Sequence, residues 1–294
     1  MQEPRQYQSL IGALTWLTCC TAPTLSTAVN RLAQFLVAPT EMHWAAALAV
    51  LAYAHQHLDE MELEIGGGGL ELRGYADADF APDRDRKSTS GYVFFIGHTT
   101  LSWASRKQKG VVLHSTHAEL NALLEGGKEA LHLRQLCGFL LILLQRDGFP
   151  PTIIHQDNLS CVGLAEKGRL SSLTKHIDIK DLWIKQEIDE MNIVLVPVRT
   201  EHMLADVLTK PMDAPTLRYF NPFFTRNVSP VPPDAALMAK AGKLNQGAKK
   251  KFRKWRRMQG GGQATTGATG HRGRCWYFSL SRVFSSGSHW VQYT

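Results

Sequence analysis

Four consecutive glycines at residues 66–69 separate two parts of the chain whose apolar residues follow different periods. Before this run, apolar residues recur at helical spacing through residues 7–58, and Thr40 is placed to cap a helix over 41–58. After it, apolar and polar residues alternate from Leu70 onward, which is the period of a strand. The fold must therefore accommodate a helical part followed by a part rich in strands.

The strand-rich part has a definite order of elements, which the hydrophobic pattern predicts as follows. There are strands near 70–75, 92–96 and 100–104, a helix over 116–145, a strand at 152–156, helices at 159–166 and 175–191, a strand at 193–198 and a helix at 201–209. The first three strands are joined by short links, which favours an antiparallel meander. The sequence therefore predicts the mixed α/β class: a five-stranded mixed sheet, with its three antiparallel strands first, flanked by helices.

Composition divides the chain into three predicted regions. Residues 1–64 form a helical segment, residues 70–212 form the sheet-containing domain, and residues 213–294 form a low-structure tail rich in proline and glycine. From residue 240 onward there are 12 Lys or Arg and no Asp or Glu, which leaves 21 basic and 26 acidic residues before it. The net charge of +7 therefore belongs to a basic tail that we expect to be disordered, while the body is mildly acidic.

The composition also argues against several classes of protein. The longest apolar runs, 44–54 and 139–144, are shorter than the ~20 residues of a membrane-spanning helix, and the first residues do not have the shape of a secretory signal. The five cysteines are odd in number and irregularly spaced, which is typical of free thiols, and no Cys-x-x-Cys pair is present to hold zinc. We expect an intracellular protein, cytoplasmic or nuclear, with no membrane partner.

Four carboxylates in separate segments are the candidate catalytic and metal-binding residues, namely Asp77, Glu119, Asp157 and Asp206. Three have a structural alternative: Asp77 as a turn residue, Glu119 in a capping box with Thr116, and Asp157 as a helix cap. Asp206 is harder to explain in this way, because Asp is a poor helix former and its neighbours are apolar. Magnesium prefers carboxylate oxygens, and two divalent ions ~4 Å apart can hold a phosphodiester for cleavage. The quartet therefore predicts a site for two Mg²⁺ ions, with Mn²⁺ as the alternative ion.

An ordered series of short motifs runs through residues 74–211. In chain order these are GYADAD at 74–79, DRKSTSGYVF at 85–94, SWASRKQ at 102–108, ST-x-AE at 115–119, KEA at 128–130, QDN at 156–158, TKHIDI at 174–179 and LAD-x-LTKP at 204–211. With these motifs the segment resembles the ribonuclease H domain of copia-type LTR retrotransposon polyproteins, and many matches in one order are far more specific than any single motif. Residues 7–14 and 39–44 resemble the end of the reverse transcriptase region of the same family.

The resemblance implies a ribonuclease H-like fold that cleaves the RNA strand of RNA–DNA hybrids. By position, the family's metal ligands fall on the same four carboxylates, with Asp79 as a less favoured alternative to Asp77. Four neighbouring positions depart from the residues common in the family, namely Phe80, His117, Gln156 and Leu159. The family's polymerase site contains an Asp-Asp pair, and none occurs in this chain, so we expect no polymerase activity from it.

Six basic residues near the predicted site are candidate contacts to nucleic acid phosphates, namely Arg84, Arg86, Lys87, Arg106, Lys107 and Lys109. Because the body is net negative, binding of a hybrid would depend on this local patch, and recognition through 2′-hydroxyls and groove shape predicts low sequence specificity. The basic run at 249–257 has three interpretations that the sequence does not separate: a nucleic-acid-binding segment, a nuclear import signal, or read-through from a decayed element.

Two functional hypotheses follow from these observations, and a third, another member of the same fold such as an integrase or resolvase, is disfavoured because the ordered motifs match the ribonuclease branch. The leading one is a metal-dependent endoribonuclease acting on RNA–DNA hybrids, and the alternative is a catalytically decayed relic that binds nucleic acid. The four retained carboxylates favour the enzyme, whereas the missing polymerase site and the altered neighbours favour the relic. His117 and His202 lie close to the carboxylates in sequence, and either an assisting role or a surface position is compatible with the pattern.

Overall fold

The computed structural model describes residues 4–83, 85–143, 150–167, 178–226 and 228. Its first part contains helices α1 Pro4–Cys20, α2 Ser26–Ala33 and α3 Glu41–Gln56. Thr40 caps α3 as predicted, because its hydroxyl accepts a hydrogen bond from the backbone N–H of His43. The three helices bury a shared apolar cluster that includes Tyr7, Ile11, Leu14, Val29 and Ala47.

The second part is built on a five-stranded sheet. Its strands are β1 Leu72–Asp79, β2 Thr89–Ile96, β3 Thr99–Lys107, β4 Thr152–Gln156 and β5 Ile193–Pro197. Their order across the sheet is β3-β2-β1-β4-β5, with antiparallel pairing from β3 to β1 and parallel pairing from β1 to β5. The predicted fold class, a mixed sheet with its three antiparallel strands first, is confirmed.

Helices α4 Ser115–Leu143, α5 Leu159–Lys167 and α6 Asp178–Asp189 supply the packing for one face of the sheet. Because successive strand residues point to opposite faces, β2 gives Phe94 to this side and Phe95 to the other. Phe94 packs there in a core that includes Leu123 of α4, Ile154 of β4 and Ile184 of α6. The opposite face, with Phe95, is covered by residues that follow β5.

One of those covering segments corrects a sequence prediction. The helix expected over 201–209 is two short 3-10 turns, Thr200–His202 and Leu204–Leu208. Met203, between them, has an extended backbone, and all five residues of the second turn are buried. A segment buried on every side does not show the one-sided apolar stripe that marks a surface helix, so the hydrophobic pattern here does not identify the type of element. The apolar residues around Asp206 are therefore buried, but they form 3-10 turns and not the predicted helix.

A second correction concerns the start of the predicted tail. Residues Ala214–Thr225, expected to have little structure, form helix α7, and its side chains Phe220 and Phe224 are buried against the sheet. Asp213 caps this helix by accepting a hydrogen bond from the Thr216 N–H at 3.0 Å. The prediction was based on the proline content of the region. It did not take into account that a capping residue is followed there by apolar residues at helical spacing. The rest of the tail, with the basic run at 249–257, lies outside the described residues.

The N-terminal helices contact the sheet-containing part through buried polar groups. Thr27 donates to the Val207 carbonyl at 2.7 Å, Asn30 to the Ser105 carbonyl at 2.7 Å, and the indole of Trp103 to the Thr18 carbonyl at 2.8 Å. These bonds join α1 and α2 to β3 and to the turn that carries Asp206. Among the described residues, no helix combines the length and apolar character needed to cross a bilayer.

Candidate metal centre

Asp77, near the end of β1, is 1% exposed, and its neighbour in register on β2 is Gly91. A Cβ at Gly91 would lie 2.7 Å from Thr209 Cγ2 and 2.9 Å from Leu208 Cβ. Only glycine therefore lets the turn that carries Asp206 pack this closely on the sheet. The same close approach allows the Thr209 hydroxyl to donate a hydrogen bond to Asp77 Oδ2.

Glu119 lies in α4, and its carboxylate reaches the sheet. Its Oε2 accepts a hydrogen bond from the Ala78 backbone N–H at 3.2 Å and one from the Gln156 side-chain amide at 3.4 Å. These contacts attach Glu119 to β1 and β4 rather than to the start of its own helix, where the capping-box interpretation would place it. The side chain is buried in this position.

Asp157 follows directly after β4. The Thr200 hydroxyl donates to its Oδ2 at 2.8 Å, which links the ends of β4 and β5. The helix cap that follows is the next residue, since Asn158 Oδ1 accepts a hydrogen bond from the Cys161 N–H at 3.0 Å. Asp157 is therefore not the cap of α5, and its carboxylate is directed to the same edge of the sheet as Asp77.

Three of the four predicted carboxylates meet at this edge. One oxygen each from Asp77, Glu119 and Asp157 lies within 4.8 Å of the other two. Carboxylate oxygens are the ligands that suit a hard divalent cation such as Mg²⁺. We call these three residues the acidic triad. Their donor chemistry and spacing fit a divalent ion. The spacing between the three residues could not be established from the sequence alone.

Asp206, the fourth predicted ligand, is close to Asp77 but has a partner of its own. Lys210 places its Nζ 2.7 Å from Asp206 Oδ1 and 3.4 Å from Asp77 Oδ2. The ammonium group therefore bridges the two carboxylates. Asp79, the less favoured alternative, pairs with Arg31 of α2 at 3.8 Å.

The triad is electrostatically strained without a metal ion. Burial, with the charges of Asp77 and Asp157, raises the pKa of Glu119 to about 9. Burial also raises the pKa of Asp157, and burial together with Asp77 raises the pKa of Asp206 to about 7. For Lys210 burial acts to lower the pKa, but the carboxylates of Asp77 and Asp206 more than offset it and raise the value. Such crowding of acids is relieved by cation binding.

Comparison with known proteins places the chain in a family. The retrovirus-related Pol polyprotein of transposon RE2 from Arabidopsis thaliana is 36% identical over 222 residues, which are 75% of this chain and 15% of the polyprotein. That of transposon TNT 1-94 from Nicotiana tabacum is 34% identical over 207 residues, 69% of this chain and 15% of its own length. The chain belongs to the copia-type transposon Pol polyproteins. It spans about 15% of the length of these relatives.

The chain was also compared with family models and with solved structures. No family model matches the copia-type chain. Among solved structures, the ribonuclease H1 LC11 isolated from compost is similar, with 19% sequence identity, a TM-score of 0.37, and coverage of 48% of this chain and 93% of that one.

The basic residues predicted to contact phosphates differ in their surroundings. Arg86, Arg106 and Lys109 are exposed, and Lys87 is half-buried. Lys107 is already neutralised, because its Nζ lies 2.8 Å from Asp83 Oδ2 and 3.0 Å from Asp85 Oδ2. Arg84 lies outside the described residues.

Several residues around the triad were missed by sequence reasoning. Thr209, Lys210 and Thr200 contact the carboxylates directly, and Gln156, noted only as a departure from the family, supports Glu119. A signal was available for Lys210, since it stands four residues after Asp206 in the motif at 204–211. His117 stacks edge to face on His114, and His202 lies 3.7 Å from the Glu201 carboxylate.

Proposed function

We propose that this copia-type Pol chain is a divalent-metal-dependent endoribonuclease that cleaves the RNA strand of RNA–DNA hybrids. The observation that supports it most is the acidic triad, whose ligand oxygens lie within 4.8 Å of one another at one edge of the sheet. Asp77, Glu119 and Asp157 would hold the ion. When bound there, a divalent cation supplies charge neutralisation at the scissile phosphate and lowers the pKa of a water molecule.

The chain's own residues orient the ligands before a metal arrives. Thr209 fixes Asp77, Thr200 fixes Asp157, and Gln156 with the Ala78 N–H fixes Glu119. Partners of this kind set ligand direction, and their loss typically costs about 10–100-fold in metal affinity or activity. The three ligands therefore come from elements that are locked together by side-chain bonds across β1, β4 and the segment after β5.

The hybrid itself would be held by exposed cations near this edge. Arg86, Arg106 and Lys109 are the best placed of the predicted set, because they are exposed, whereas Lys107 is paired with two aspartates. Since the body of the chain is net negative, binding should weaken with salt through these few contacts. The hybrid as substrate, low sequence specificity and an intracellular setting stay predictions.

The test uses the full chain and a labelled RNA–DNA hybrid, with Mg²⁺ and with EDTA. We expect cutting of the RNA strand only, dependent on metal, and reduced at least about 100-fold in Asp157→Asn because a ligand is removed. Asp59→Asn, at an exposed position in the short turn after α3, is the matched control and should cut normally. Cleavage in EDTA, or full activity in Asp157→Asn, would contradict the proposal. Binding of the hybrid without cleavage in any divalent metal would instead support the relic.

A further inference from the structure

The four carboxylates form two groups that share Asp77, and Lys210 bridges only one of these groups. On one side Asp77 joins Glu119 and Asp157, with ligand oxygens within 4.8 Å of one another. On the other side Asp77 and Asp206 are bridged by the Lys210 ammonium, at 3.4 Å and 2.7 Å. A second divalent ion would need this second pair of carboxylates, and the pair already holds a cation.

The charges around the site agree with this division. The positive charge of Lys210 acts to lower the pKa of Glu119, of Asp157 and of Asp206. An ammonium group and a divalent ion cannot both contact the same two oxygens, since they would repel each other at short range. The Asp77–Asp206 pair can therefore hold either the Lys210 ammonium group or a metal ion, but not both.

The Lys210 backbone is held in place, and its side chain is partly exposed to solvent. Its backbone N–H donates to the Asp206 carbonyl at 2.9 Å, and the preceding Thr209 is fully buried. The side chain itself is 35% exposed, so a path to solvent is open along its four-carbon stem. A held backbone with a partly exposed side chain is what a displaceable internal cation requires.

We propose that Lys210 is a built-in cation that occupies the place of a second divalent ion, so that the resting chain binds one divalent ion tightly, in the acidic triad. The inference rests on the triad of the proposed function but not on any cleavage. Lys210 is thus a residue that sets metal stoichiometry. A second ion enters only when the ammonium leaves the Asp77–Asp206 pair, for example toward a phosphate of a bound substrate.

Titration of the metal-free full chain with Mn²⁺, followed by calorimetry and by electron paramagnetic resonance of free Mn²⁺, tests this without substrate. We expect one tight ion in the wild type and two in Lys210→Met. The second ion should bind at least about tenfold more tightly than to the wild type, because a unit charge within ~4 Å near a protein surface outweighs the ~1.4 kcal/mol of a tenfold change. Lys210→Arg keeps the cation and should restore one ion.

Two controls separate charge from position. Lys128→Met removes the same charge from an exposed lysine of α4 and should leave one tight ion. Asp206→Asn should also leave it, because Asp206 is not a ligand in the resting chain. Two tight ions in the wild type, or one in a folded Lys210→Met, would overturn the proposal. A chain that binds one ion as expected but cuts no hybrid would refute the proposed function and leave this inference intact.

Discussion

At the scale of single residues, the site is governed by how many acids share one buried space. Glu119 shows this most clearly, because its neighbours Asp77 and Asp157 and its burial raise its pKa to about 9. In the unfolded chain it titrates near 4.5. The folded, metal-free protein therefore holds an extra proton between these values, and stability falls as the pH rises through this window.

This predicts that the stability of the metal-free protein depends on pH, and that a bound metal ion abolishes this dependence. In EDTA, the urea midpoint of the full chain should fall as the pH rises from about 5 to 9. Glu119→Gln should reduce that fall, since its amide has no charge to desolvate and still offers an oxygen to Ala78. The control Glu125→Gln, at an exposed position on the same helix, should leave the slope unchanged. An equal slope in Glu119→Gln would contradict the assignment of the raised pKa.

A second residue-scale prediction concerns the hydroxyl that holds Asp77. Thr209 is fully buried and donates to Asp77 Oδ2, so Thr209→Val keeps the shape and removes a bond to a charged group. We expect a loss of about 1–3 kcal/mol in free energy of unfolding. Thr24→Val removes a buried bond to the neutral amide of Asn221 and should cost about 1 kcal/mol, which urea denaturation can distinguish. A smaller loss at Thr209 than at Thr24 would contradict the charged contact.

The sequence could predict acids that the fold brings together but not how they are held. Asp77, Glu119 and Asp157 stand at element ends in the chain, and the fold brings all three together. Thr200 could not be found in this way, because a threonine in a polar segment is ordinary, and for Lys210 the sequence offers only its position four residues after Asp206. Their roles depend on distances across the sheet, such as the 2.8 Å from Thr200 to Asp157, that no local spacing encodes.

At the scale of elements, the turn Leu204–Leu208 depends on a residue far from it in sequence. A Cβ at Gly91 would meet Thr209 Cγ2 at 2.7 Å, Leu208 Cβ at 2.9 Å and the Ala205 carbonyl at 3.2 Å. Gly91→Ala must therefore displace the turn that carries Asp206. We expect a loss of about 1–3 kcal/mol by urea denaturation, together with weaker binding of Mn²⁺.

The matched control is Gly163→Ala in α5, where a Cβ would meet nothing within 4 Å. Removing a glycine from a helix interior there should stabilise the chain by up to about 1 kcal/mol. A neutral or stabilising Gly91→Ala would show that the turn has room to spare. Opposite signs at the two glycines would confirm that the contact, and not the loss of glycine itself, is responsible.

Elements with a clear period were predicted from sequence, and those shaped by burial were not. The meander, the long helix α4 and the capped helix α3 follow local patterns that survive packing. The turn Leu204–Leu208 is buried along its whole length and, apart from Asp206, is apolar, so it carries no period to recognise. Helix α7 was missed because its prolines, Pro215 and Pro222, suggested a loop, whereas Pro215 stands in the first turn, where proline is tolerated.

At the scale of the whole molecule, one face of the sheet is covered in part by residues that lie outside the predicted domain at 70–212. Asn221 of α7 donates to the Glu60 carbonyl at 2.7 Å, and the Glu64 N–H donates to the Thr225 carbonyl at 2.8 Å. These bonds connect the segment after the N-terminal helices to α7. The face of the sheet that carries Asp77 is therefore supported from both ends of the described chain.

Helix α7 provides the sharpest test of this arrangement. Phe224 is 2% exposed and packs against Phe95 of β2, with ring centroids 6.2 Å apart. Phe224→Ala should therefore cost about 3–5 kcal/mol in free energy of unfolding, because a buried ring is replaced by a cavity. Tyr219→Ala, on the same helix but 53% exposed, should cost much less. A chain ending after residue 213 should be less stable than one ending after residue 228, by at least as much as Phe224→Ala destabilises the full chain. Equal midpoints for the two shortened chains would show that α7 does not support the sheet.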